Sequence, residues 1–396
     1  MKVLLLENVH PTGVGLLTDR GYEVDARPAA LGEDDLIAAL DKVALLGVRS
    51  NTQVTRRVLE NAPDLRAVGA FCIGTNQIAL DAASARGVAV FNAPYSNTRS
   101  VVELAVAEII AMARHLTDHN QRMHAGEWVK SALGSHEVRG RTLGIVGYGN
   151  IGSQLSVVAE SLGMRVFFHD LVDRLALGNA QRCGSLAELL AEAETISLHV
   201  DGRPGNRGFF GEREFSLMRP RSLFLNLSRG FVVDTGALKR HLDSGHLAGA
   251  ALDVFESEPK GNGQEFVHPL RGTPNVILTP HVAGSTLEAQ QNICAFVANK
   301  LADFAEHGST VLSVNLPGVP AGRPRAHRIR HLHRNVPGVL ATINTIMATH
   351  GTNIEGQTLA TRGDLGYVVL DIADPPPHAV VAALQAMPET VRVDVG

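Results

Sequence analysis

Short apolar segments alternate with amphipathic helical segments over residues 1–95, and this alternation restricts the folds open to the chain. The helical segments include Asp34–Leu40 and Ile78–Ala85. The predicted strands between them are Val3–Leu6, Val43–Val48, Ala67–Ala70 and Val88–Phe91. Strands that are apolar throughout and alternate with helices are typical of a parallel sheet covered by helices. The pattern therefore predicts a doubly wound α/β unit.

A second alternating series runs from Leu143 to about Pro280. Its predicted strands are Leu143–Val146, Val166–Phe168, Thr195–Leu198, Leu223–Asn226, Gly249–Leu252 and Val276–Leu278. Ser100 and Glu103 have the spacing of a capping box, which predicts the start of a long helix between the two series. Apolar residues on nearly every face of that helix indicate that it is buried. We therefore predict two doubly wound units in tandem, of the Rossmann-like or flavodoxin-like kind.

The pattern changes after Leu316–Gly322, a segment rich in Pro and Gly that indicates a linker. The order of elements becomes strand, helix, strand, strand, helix and strand, which fits a ferredoxin-like βαββαβ module. Their predicted bounds are Ala326–Arg334, Val339–His350, Thr352–Ala360, Gly366–Ile372, His378–Ala386 and Val391–Val395. Because this module shows no catalytic pattern of its own, regulation or assembly is the expected role.

Composition narrows the class of protein. A length of 396 residues suggests two or three domains, and the formal net charge of −4 gives no basic field that would favour nucleic acid or an anionic membrane. No apolar stretch approaches the ~20 residues of a membrane span, and the N-terminal segment is too short for a signal peptide. The three cysteines are far apart, which is typical of a reducing compartment. We expect a cytoplasmic protein that binds neither nucleic acid nor membrane.

A glycine-rich motif lies between a predicted strand and a predicted helix in the second series. Its residues are Gly147, Tyr148, Gly149, Asn150, Ile151 and Gly152. In this context the first glycine permits a tight turn, the second allows backbone to approach a pyrophosphate, and the third allows close helix packing. The N-terminus of the helix adds positive potential. The motif therefore predicts a dinucleotide site, against the alternative of a plain glycine turn.

Asp170 ends the next predicted strand, 18 residues after Gly152 (170 − 152). A carboxylate there accepts hydrogen bonds from ribose hydroxyls and repels a 2′-phosphate, so NAD is predicted over NADP. Arg174 lies four residues further along and is either a complication for this selectivity or a solvated cation.

An arginine, an acid and a histidine follow the motif in an order that suggests dehydrogenase chemistry. Arg229 follows a buried strand, where a guanidinium can hold a carboxylate by two hydrogen bonds. His281 follows another strand end and can exchange a proton with a hydroxyl or carbonyl oxygen. Glu258 could raise the pKa of that imidazole and fix its tautomer. Asp253 is predicted to face a nicotinamide amide. Taken singly, each could be a structural or solvated residue.

These residues and several further segments resemble the D-isomer-specific 2-hydroxyacid dehydrogenase family, and more narrowly its bacterial members with a C-terminal ACT domain. The segments that carry the resemblance include Phe71–Gln77, Phe91–Pro94, Ser96–Val101, Ala251–Phe255 and Leu278–His281 with Gly284–Thr286. The resemblance runs end to end and implies oxidation of 3-phospho-D-glycerate to 3-phosphohydroxypyruvate with NAD. It also implies a homotetramer inhibited by L-serine.

The family also implies a division of the chain into domains. Residues 1–97 and 286–316 would form the substrate-binding domain, and residues 98–285 the NAD-binding Rossmann domain. Residues 317–325 would be the linker and residues 326–396 the ACT domain.

The resemblance assigns further roles by position. At the substrate it implies Arg49, Gly74, Asn97, Lys130 and Arg229, with Glu258 and His281 as the catalytic pair. At the cofactor it implies His199 near the adenine, and at the effector site His333, Asn335 and Asn353. Trp128 matches an indole that is inserted into a neighbouring subunit, against an equal alternative of plain packing.

This chain departs from the pattern of its bacterial relatives at three places. Asn51 stands where they carry a second arginine, which weakens the case for phosphate binding by that loop. Arg334 replaces an acid, and Arg325-Ala326 replaces a glycine pair, from which we expect weaker or altered serine inhibition.

Other interpretations stay open from sequence alone. The chain could act on an unphosphorylated acid, for example by reducing 2-oxoglutarate, or it could be a dinucleotide-sensing protein without catalysis. It could also be an amino-acid-binding regulator. A metal site at His331 and His333 is disfavoured because no cysteine or acid completes it. The basic segment Arg323–Arg334 lacks the aromatic residues of a nucleic-acid surface.

Overall fold

The computed structural model describes residues 1–259, 263–323 and 326–396. The chain divides into two units: Met1–Ser96 with Gln290–Gly396, and Asn97–Ala289. The fold class predicted from the sequence is confirmed: the chain contains two parallel sheets with helices and a C-terminal antiparallel sheet.

The first unit begins with a five-stranded parallel sheet in the order β2-β1-β3-β4-β5, the strand order of flavodoxin-like folds. Its strands are β1 Lys2–Leu5, β2 Glu23–Ala26, β3 Val43–Val48, β4 Ala67–Ala70 and β5 Ala89–Phe91. Its helices are α1 Pro11–Asp19, α2 Glu33–Ala39, α3 Arg56–Glu60 and α4 Leu80–Ala85. Every residue of the central strand β3 is buried, which explains its continuous apolar sequence.

The second unit contains a seven-stranded parallel sheet in the order β12-β11-β10-β9-β6-β7-β8. The strands are β6 Thr142–Val146, β7 Arg165–His169, β8 Gln181–Arg182, β9 Thr195–Leu198, β10 Ser222–Asn226, β11 Leu247–Leu252 and β12 Val276–Leu278. The helices are α5 Thr98–Ala113, α6 Leu116–His124, α7 Asn150–Ser161, α8 Leu186–Glu192, α9 Glu212–Leu217 and α10 Thr235–Asp243. The strand order reverses between β6 and β9, and ligands of such sheets bind beyond the carboxyl ends of the strands at this switch point.

The predicted capping box at the start of α5 is wrong. The helix begins at Thr98 after Asn97, with no side-chain cap. Glu103 instead pairs with Arg99 one turn earlier, at 2.6 Å, and the Ser100 hydroxyl lies 2.9 Å from that of Thr286. An ion pair between residues four apart and a contact distant in sequence have replaced the local cap.

The C-terminal part of the first unit begins with helix α11, Leu287–His307. A four-stranded antiparallel sheet follows, in the order β14-β15-β13-β16, with two helices. Its elements are β13 His327–Arg334, α12 Val339–Thr349, β14 Ile354–Arg362, β15 Leu365–Ile372, α13 His378–Gln385 and β16 Thr390–Val395. This is the predicted βαββαβ arrangement.

One face of the antiparallel sheet packs against the C-terminus of α11. Arg330 Nη1 donates hydrogen bonds to the carbonyl oxygens of Phe304 at 2.9 Å and Ala305 at 3.3 Å. Arg328 Nη1 donates to the carbonyl oxygen of His307 at 2.7 Å. The last carbonyls of an α-helix lack partners within the helix, so these arginines cap it.

Within the described ranges no helix is long and apolar enough to cross a bilayer, and no disulfide joins the cysteines. Arg325, which stands where the relatives carry a glycine pair, lies outside the described residues. Part of the predicted linker is docked: Val319 is buried, and its N–H donates to Thr310 Oγ1 at 2.9 Å.

Candidate active site

His281 and Glu258 form a hydrogen-bonded pair in the second unit. His281 Nδ1 lies 2.9 Å from Glu258 Oε2 and 3.1 Å from Oε1. The hydrogen bond that His281 donates to Glu258 raises the pKa of His281, although burial and the charge of Arg229 oppose that rise. Burial alone would raise the pKa of Glu258, but the hydrogen bonds from His281 and from the Phe255 N–H hold it below its ordinary value. Glu258 is therefore ionised at neutral pH, and its negative charge favours the protonated form of the imidazole.

Arg229 follows strand β10 in a loop organised by Asn226. The buried Asn226 accepts hydrogen bonds at Oδ1 from the Ser228 N–H at 3.0 Å and the Ser228 hydroxyl at 2.7 Å. Its Nδ2 donates to the Arg229 carbonyl oxygen at 3.0 Å. The guanidinium is close enough to lower the pKa values of both Glu258 and His281. The predicted trio is thus brought together, with the arginine backbone fixed.

The loop that carries His281 is held by Asp253, which is 1% exposed. Its Oδ1 accepts hydrogen bonds from the Thr279 hydroxyl at 2.6 Å and the Val282 N–H at 2.8 Å, and its Oδ2 from the Ala283 N–H at 2.9 Å. His281 itself has a φ of 54°, an unfavourable left-handed conformation for a residue with a side chain. Asp253 therefore stabilises the strained turn, while its predicted contact with nicotinamide stays a prediction.

The glycine-rich motif forms the predicted turn between β6 and α7. Gly147 has a φ of 92°, and a Cβ there would lie 2.6 Å from the carbonyl oxygen of His199. At Gly152 a Cβ would collide with the carbonyl oxygen of Gly147. By contrast, a Cβ at Gly149 would meet nothing within 4 Å, so the space beside this backbone is open. The sequence therefore folds into a cradle that fits a pyrophosphate at the N-terminus of α7, where Asn150 and Ile151 begin the helix.

Two further predicted cofactor residues follow the strands on either side of β6. Asp170 follows β7 and accepts hydrogen bonds from the N–H of Tyr148, within the motif, at 2.8 Å and from the N–H of Val172 at 3.0 Å. Arg174 Nε lies 3.7 Å from its Oδ2. His199 follows β9; burial lowers its pKa to about 4, and its Nδ1 has no partner among the described residues. These side chains fit ribose hydroxyls and a neutral hydrogen-bonding partner, respectively.

The predicted substrate residues fall in both units. In the first unit, Arg49 follows β3, and the Gly74 carbonyl oxygen lies 3.2 Å from Cys72 Sγ. In the second, Asn97 packs against Gly284, three residues after His281.

Lys130 lines an open cavity of about 480 Å³ in the second unit. Arg114 and Arg122 line the same cavity. Trp128, in the same segment, is 79% exposed, so packing against the described residues does not account for it. The lining is mixed in charge, because Glu127 and Glu137 line the cavity beside these cations.

The three predicted effector residues lie in the antiparallel module. His333 on β13 is buried; its Nδ1 bonds the Arg334 carbonyl oxygen at 2.8 Å, and its Nε2 has no partner among the described residues. Asn335 and Asn353 are exposed. The guanidinium of Arg334 forms an ion pair with the carboxylate of Asp364 at 3.1 Å. Over the described ranges no cluster of His, Cys, Asp and Glu could hold a metal ion.

Sequence reasoning missed one buried acid beneath the catalytic turn. Glu108 on α5 is 3% exposed, and neither carboxyl oxygen has a hydrogen-bond partner in the described part of the chain. Burial, with the charge of Asp253 nearby, raises its pKa to about 8. A charged residue on the apolar face of a helix was the available signal.

Known proteins match this chain over its whole length. Residues 106–283 match the family of the D-isomer specific 2-hydroxyacid dehydrogenase NAD binding domain, and residues 329–392 match the AHAS small subunit-like ACT domain. The D-3-phosphoglycerate dehydrogenase of Escherichia coli K12 is 46% identical, over 99% of this chain and 96% of that protein. The Haemophilus influenzae protein of that name is 45% identical, over 100% and 97%.

Solved structures share the fold of the larger part of the chain. The TT0316 protein of Thermus thermophilus aligns with a TM-score of 0.70 at 29% identity, over 77% of this chain and 97% of that one. D-lactate dehydrogenase of Aquifex aeolicus, complexed with NAD and lactic acid, aligns with a TM-score of 0.66 at 27% identity, over 76% and 95%.

Proposed function

Because the chain belongs to the D-3-phosphoglycerate dehydrogenases of the D-isomer-specific 2-hydroxyacid dehydrogenase family, we propose that it oxidises 3-phospho-D-glycerate to 3-phosphohydroxypyruvate. It is an NAD-dependent oxidoreductase. The observation that carries the proposal is the His281–Glu258 pair with the charge of Arg229 beside it. In this role the reaction is the first step of L-serine synthesis.

The geometry supports a separate task for each member of the trio. Glu258 fixes Nδ1–H of His281 as a donor, so Nε2 of the neutral ring carries the lone pair and accepts the proton of the substrate hydroxyl. The imidazolium that results is stabilised by the ionised Glu258. Arg229 holds the substrate carboxylate by two hydrogen bonds and so orients the carbinol carbon.

The cofactor would be held by the cradle of Gly147, Gly149 and Gly152, with Asp170 at the ribose. NAD held there would supply the acceptor for the hydride of the carbinol carbon. The chain contributes by presenting backbone N–H groups to phosphate, selecting ribose over ribose 2′-phosphate, and keeping His199 neutral.

The assignment of the domains follows from these roles. We place the substrate-binding domain in residues 1–97 and 286–316, the NAD-binding domain in 98–285, a linker in 317–325 and the ACT domain in 326–396. Arg49, Gly74, Asn97 and Lys130 are the proposed additional substrate contacts.

A substrate panel tests the proposed reaction. We expect NADH to support fast reduction of 3-phosphohydroxypyruvate, with kcat/KM at least roughly a hundredfold above that for hydroxypyruvate and for 2-oxoglutarate. NADPH should be a poor substitute. Equal turnover of 2-oxoglutarate would indicate a broader 2-hydroxyacid dehydrogenase, and an absence of turnover with every 2-oxo acid would contradict enzymatic function.

We further propose that the ACT module binds L-serine through His333, Asn335 and Asn353 in a homotetramer. Asn side chains both donate and accept hydrogen bonds, which suits a zwitterion. Arg334 forms an ion pair with Asp364. We expect weaker inhibition than in relatives that carry an acid at this position. Calorimetry with L-serine, and sedimentation of the intact protein, test the two parts separately: no detectable binding removes the first, and a monomer removes the second.

A further inference from the structure

The carboxylate of Glu7, just beyond strand β1, accepts hydrogen bonds from the backbone of the loop that follows β3. It is 7% exposed. Its Oε1 accepts hydrogen bonds from the N–H groups of Arg49 at 3.1 Å and Thr52 at 2.9 Å, and its Oε2 from the N–H of Asn51 at 3.0 Å. Converging backbone N–H groups of this kind form a site for an anion. Here the chain supplies that anion itself.

The conformation around Glu7 is unfavourable in isolation. Glu7 and Asn8 have φ values of 65° and 54°, two successive left-handed residues that are not glycine. Their N–H groups donate to the carbonyl oxygens of Ala29 and Arg27, each at 3.3 Å. Such strain persists only where surrounding contacts enforce it, and it concentrates at functional sites. Here the strained backbone at Glu7 and Asn8 places the Glu7 carboxylate against the loop that follows β3.

Glu7 is charged at neutral pH. Burial alone would raise its pKa, but the hydrogen bonds from the N–H groups of Asn51, Thr52 and Arg49 hold that pKa below its ordinary value. No arginine or lysine side chain forms an ion pair with it among the described residues. The negative charge is therefore balanced by peptide dipoles.

The backbone of Arg49 is fixed by two hydrogen bonds, whereas its guanidinium has no partner among the described residues. Its N–H donates to Glu7, and its carbonyl oxygen accepts a hydrogen bond from Gln77 Nε2 at 2.5 Å. Its guanidinium makes no hydrogen bond or ion pair with any residue that the structure describes. A side chain with a fixed base and an unengaged cationic head is preorganised for an anionic ligand, because less freedom is lost when the ligand binds.

From these contacts we propose that Glu7 is a positioning residue that sets the affinity for the phosphate of the substrate by fixing the loop of Arg49, Asn51 and Thr52. The inference rests on the proposed function, in which Arg49 binds that phosphate. Glu7 does not touch the substrate and takes no part in proton or hydride transfer. Its effect is therefore on KM for phosphorylated substrate and not on kcat.

Glu7→Gln is the sharpest variant because it preserves shape. The amide oxygen can still accept from Arg49 and Thr52, but an amide NH₂ would then face the N–H of Asn51, donor against donor. We expect KM for 3-phosphohydroxypyruvate to rise about tenfold, with kcat within about twofold of the unmodified enzyme. KM for hydroxypyruvate, which lacks the phosphate, should stay within about twofold. Glu60→Gln, an exposed glutamate at the end of α3, serves as the matched control and should change neither constant.

A double-mutant cycle with Arg49→Ala separates the possible failures. If Glu7 acts through Arg49, Glu7→Gln should add little to KM once Arg49 is alanine. Full additivity, an equal KM rise with hydroxypyruvate, or a fall in kcat alone would each overturn the positioning role. If Arg49→Ala leaves KM for the phosphorylated substrate unchanged, the assignment of Arg49 in the proposed function is wrong.

A second variant keeps the proposal testable if Glu7→Gln fails to fold. Gln77→Met removes the hydrogen bond to the Arg49 carbonyl oxygen at 2.5 Å, with a longer one to that of Gly74 at 3.5 Å, and leaves Glu7 in place. It should raise the same KM by a smaller factor, about threefold, and should spare hydroxypyruvate. An unchanged KM in a folded Gln77→Met protein would count against preorganisation of Arg49.

Discussion

Glu258 contacts His281 only through Nδ1, at 2.9 Å from Oε2, and Nε2 of the imidazole has no partner among the residues described. One nitrogen is thus committed to the carboxylate and the other is available to substrate. Since a carboxylate at neutral pH only accepts hydrogen bonds, Nδ1 carries the proton and the tautomer is fixed. The pair therefore determines which ring nitrogen exchanges a proton with the substrate, and it shifts the pH at which that exchange occurs.

Glu258→Gln should shift the pH profile of catalysis toward acid. The variant removes the group that raises the pKa of His281, while burial and the charge of Arg229, which lower it, remain. Alcohol oxidation needs neutral imidazole, so its rising limb should move to lower pH. Ketone reduction needs imidazolium, so its falling limb should move the same way. We expect kcat to fall by about two orders of magnitude. The measurement is kcat/KM in both directions from mildly acidic to alkaline pH, and a profile with unmoved limbs would contradict the assignment.

Asp170→Ala should weaken NADH binding and narrow the preference over NADPH. The variant removes the proposed partner of the ribose hydroxyls and releases Arg174, now 3.7 Å from the carboxylate, for a 2′-phosphate. We expect KM for NADH to rise about tenfold or more and KM for NADPH to fall. Asp173→Ala is the matched control, because that aspartate is exposed and pairs with Arg182. Unchanged selectivity in Asp170→Ala would remove this residue from the cofactor site.

Much of the fold was readable from the sequence because buried parallel strands are apolar throughout. The predicted bounds of β3 and β9 match the structure to the residue. Strand β2, with sequence EVDA, was missed, since its end residues are exposed at the sheet edge and its polarity hides it. The capping box predicted at Ser100 failed for a different reason. The local sequence pattern is present, but the Ser100 hydroxyl contacts Thr286, which is distant in sequence.

The site divides in the same way. The glycine cradle and the trio of Arg229, Glu258 and His281 were predicted because residue type and order along the chain indicate their chemistry. The supporting contacts were not, because they join residues distant in sequence. Asp253 reaches the N–H of Val282, and Glu7 reaches the N–H of Asn51; neither pairing leaves a periodic or local signal. The residues that react were therefore found more readily than the residues that position them.

Glu108→Gln should increase stability at alkaline pH. Because the pKa of Glu108 is raised from 4.5 to about 8, its contribution to stability is fully present below pH 4.5 and is lost as pH rises through 8. Gln cannot ionise, so the difference in Tm between variant and unmodified protein should move in favour of the variant by roughly 5 °C between about pH 5 and about pH 9. Calorimetry at both pH values gives the comparison. Glu103→Gln, exposed on the same helix, should show no such trend.

Arg328→Met should destabilise the C-terminal sheet where Arg334→Met does not. Both arginines lie on β13 and pair with an aspartate, but the Arg328 side chain is 6% exposed and that of Arg334 is 56% exposed. Arg328 also donates to the carbonyl oxygens of His307 and Gly322. Removing it leaves Asp371 unpaired and breaks these buried hydrogen bonds, at a cost of about 3 kcal/mol, whereas an exposed pair contributes at most about 1 kcal/mol.

Native-state hydrogen exchange over β13 and β15 distinguishes these two arginines. Loss of about 3 kcal/mol corresponds to exchange more than roughly a hundredfold faster in Arg328→Met. Exchange in Arg334→Met should stay within about fivefold of the unmodified protein. If both variants exchanged alike, the buried pair of Arg328 would contribute no more to stability than a surface pair.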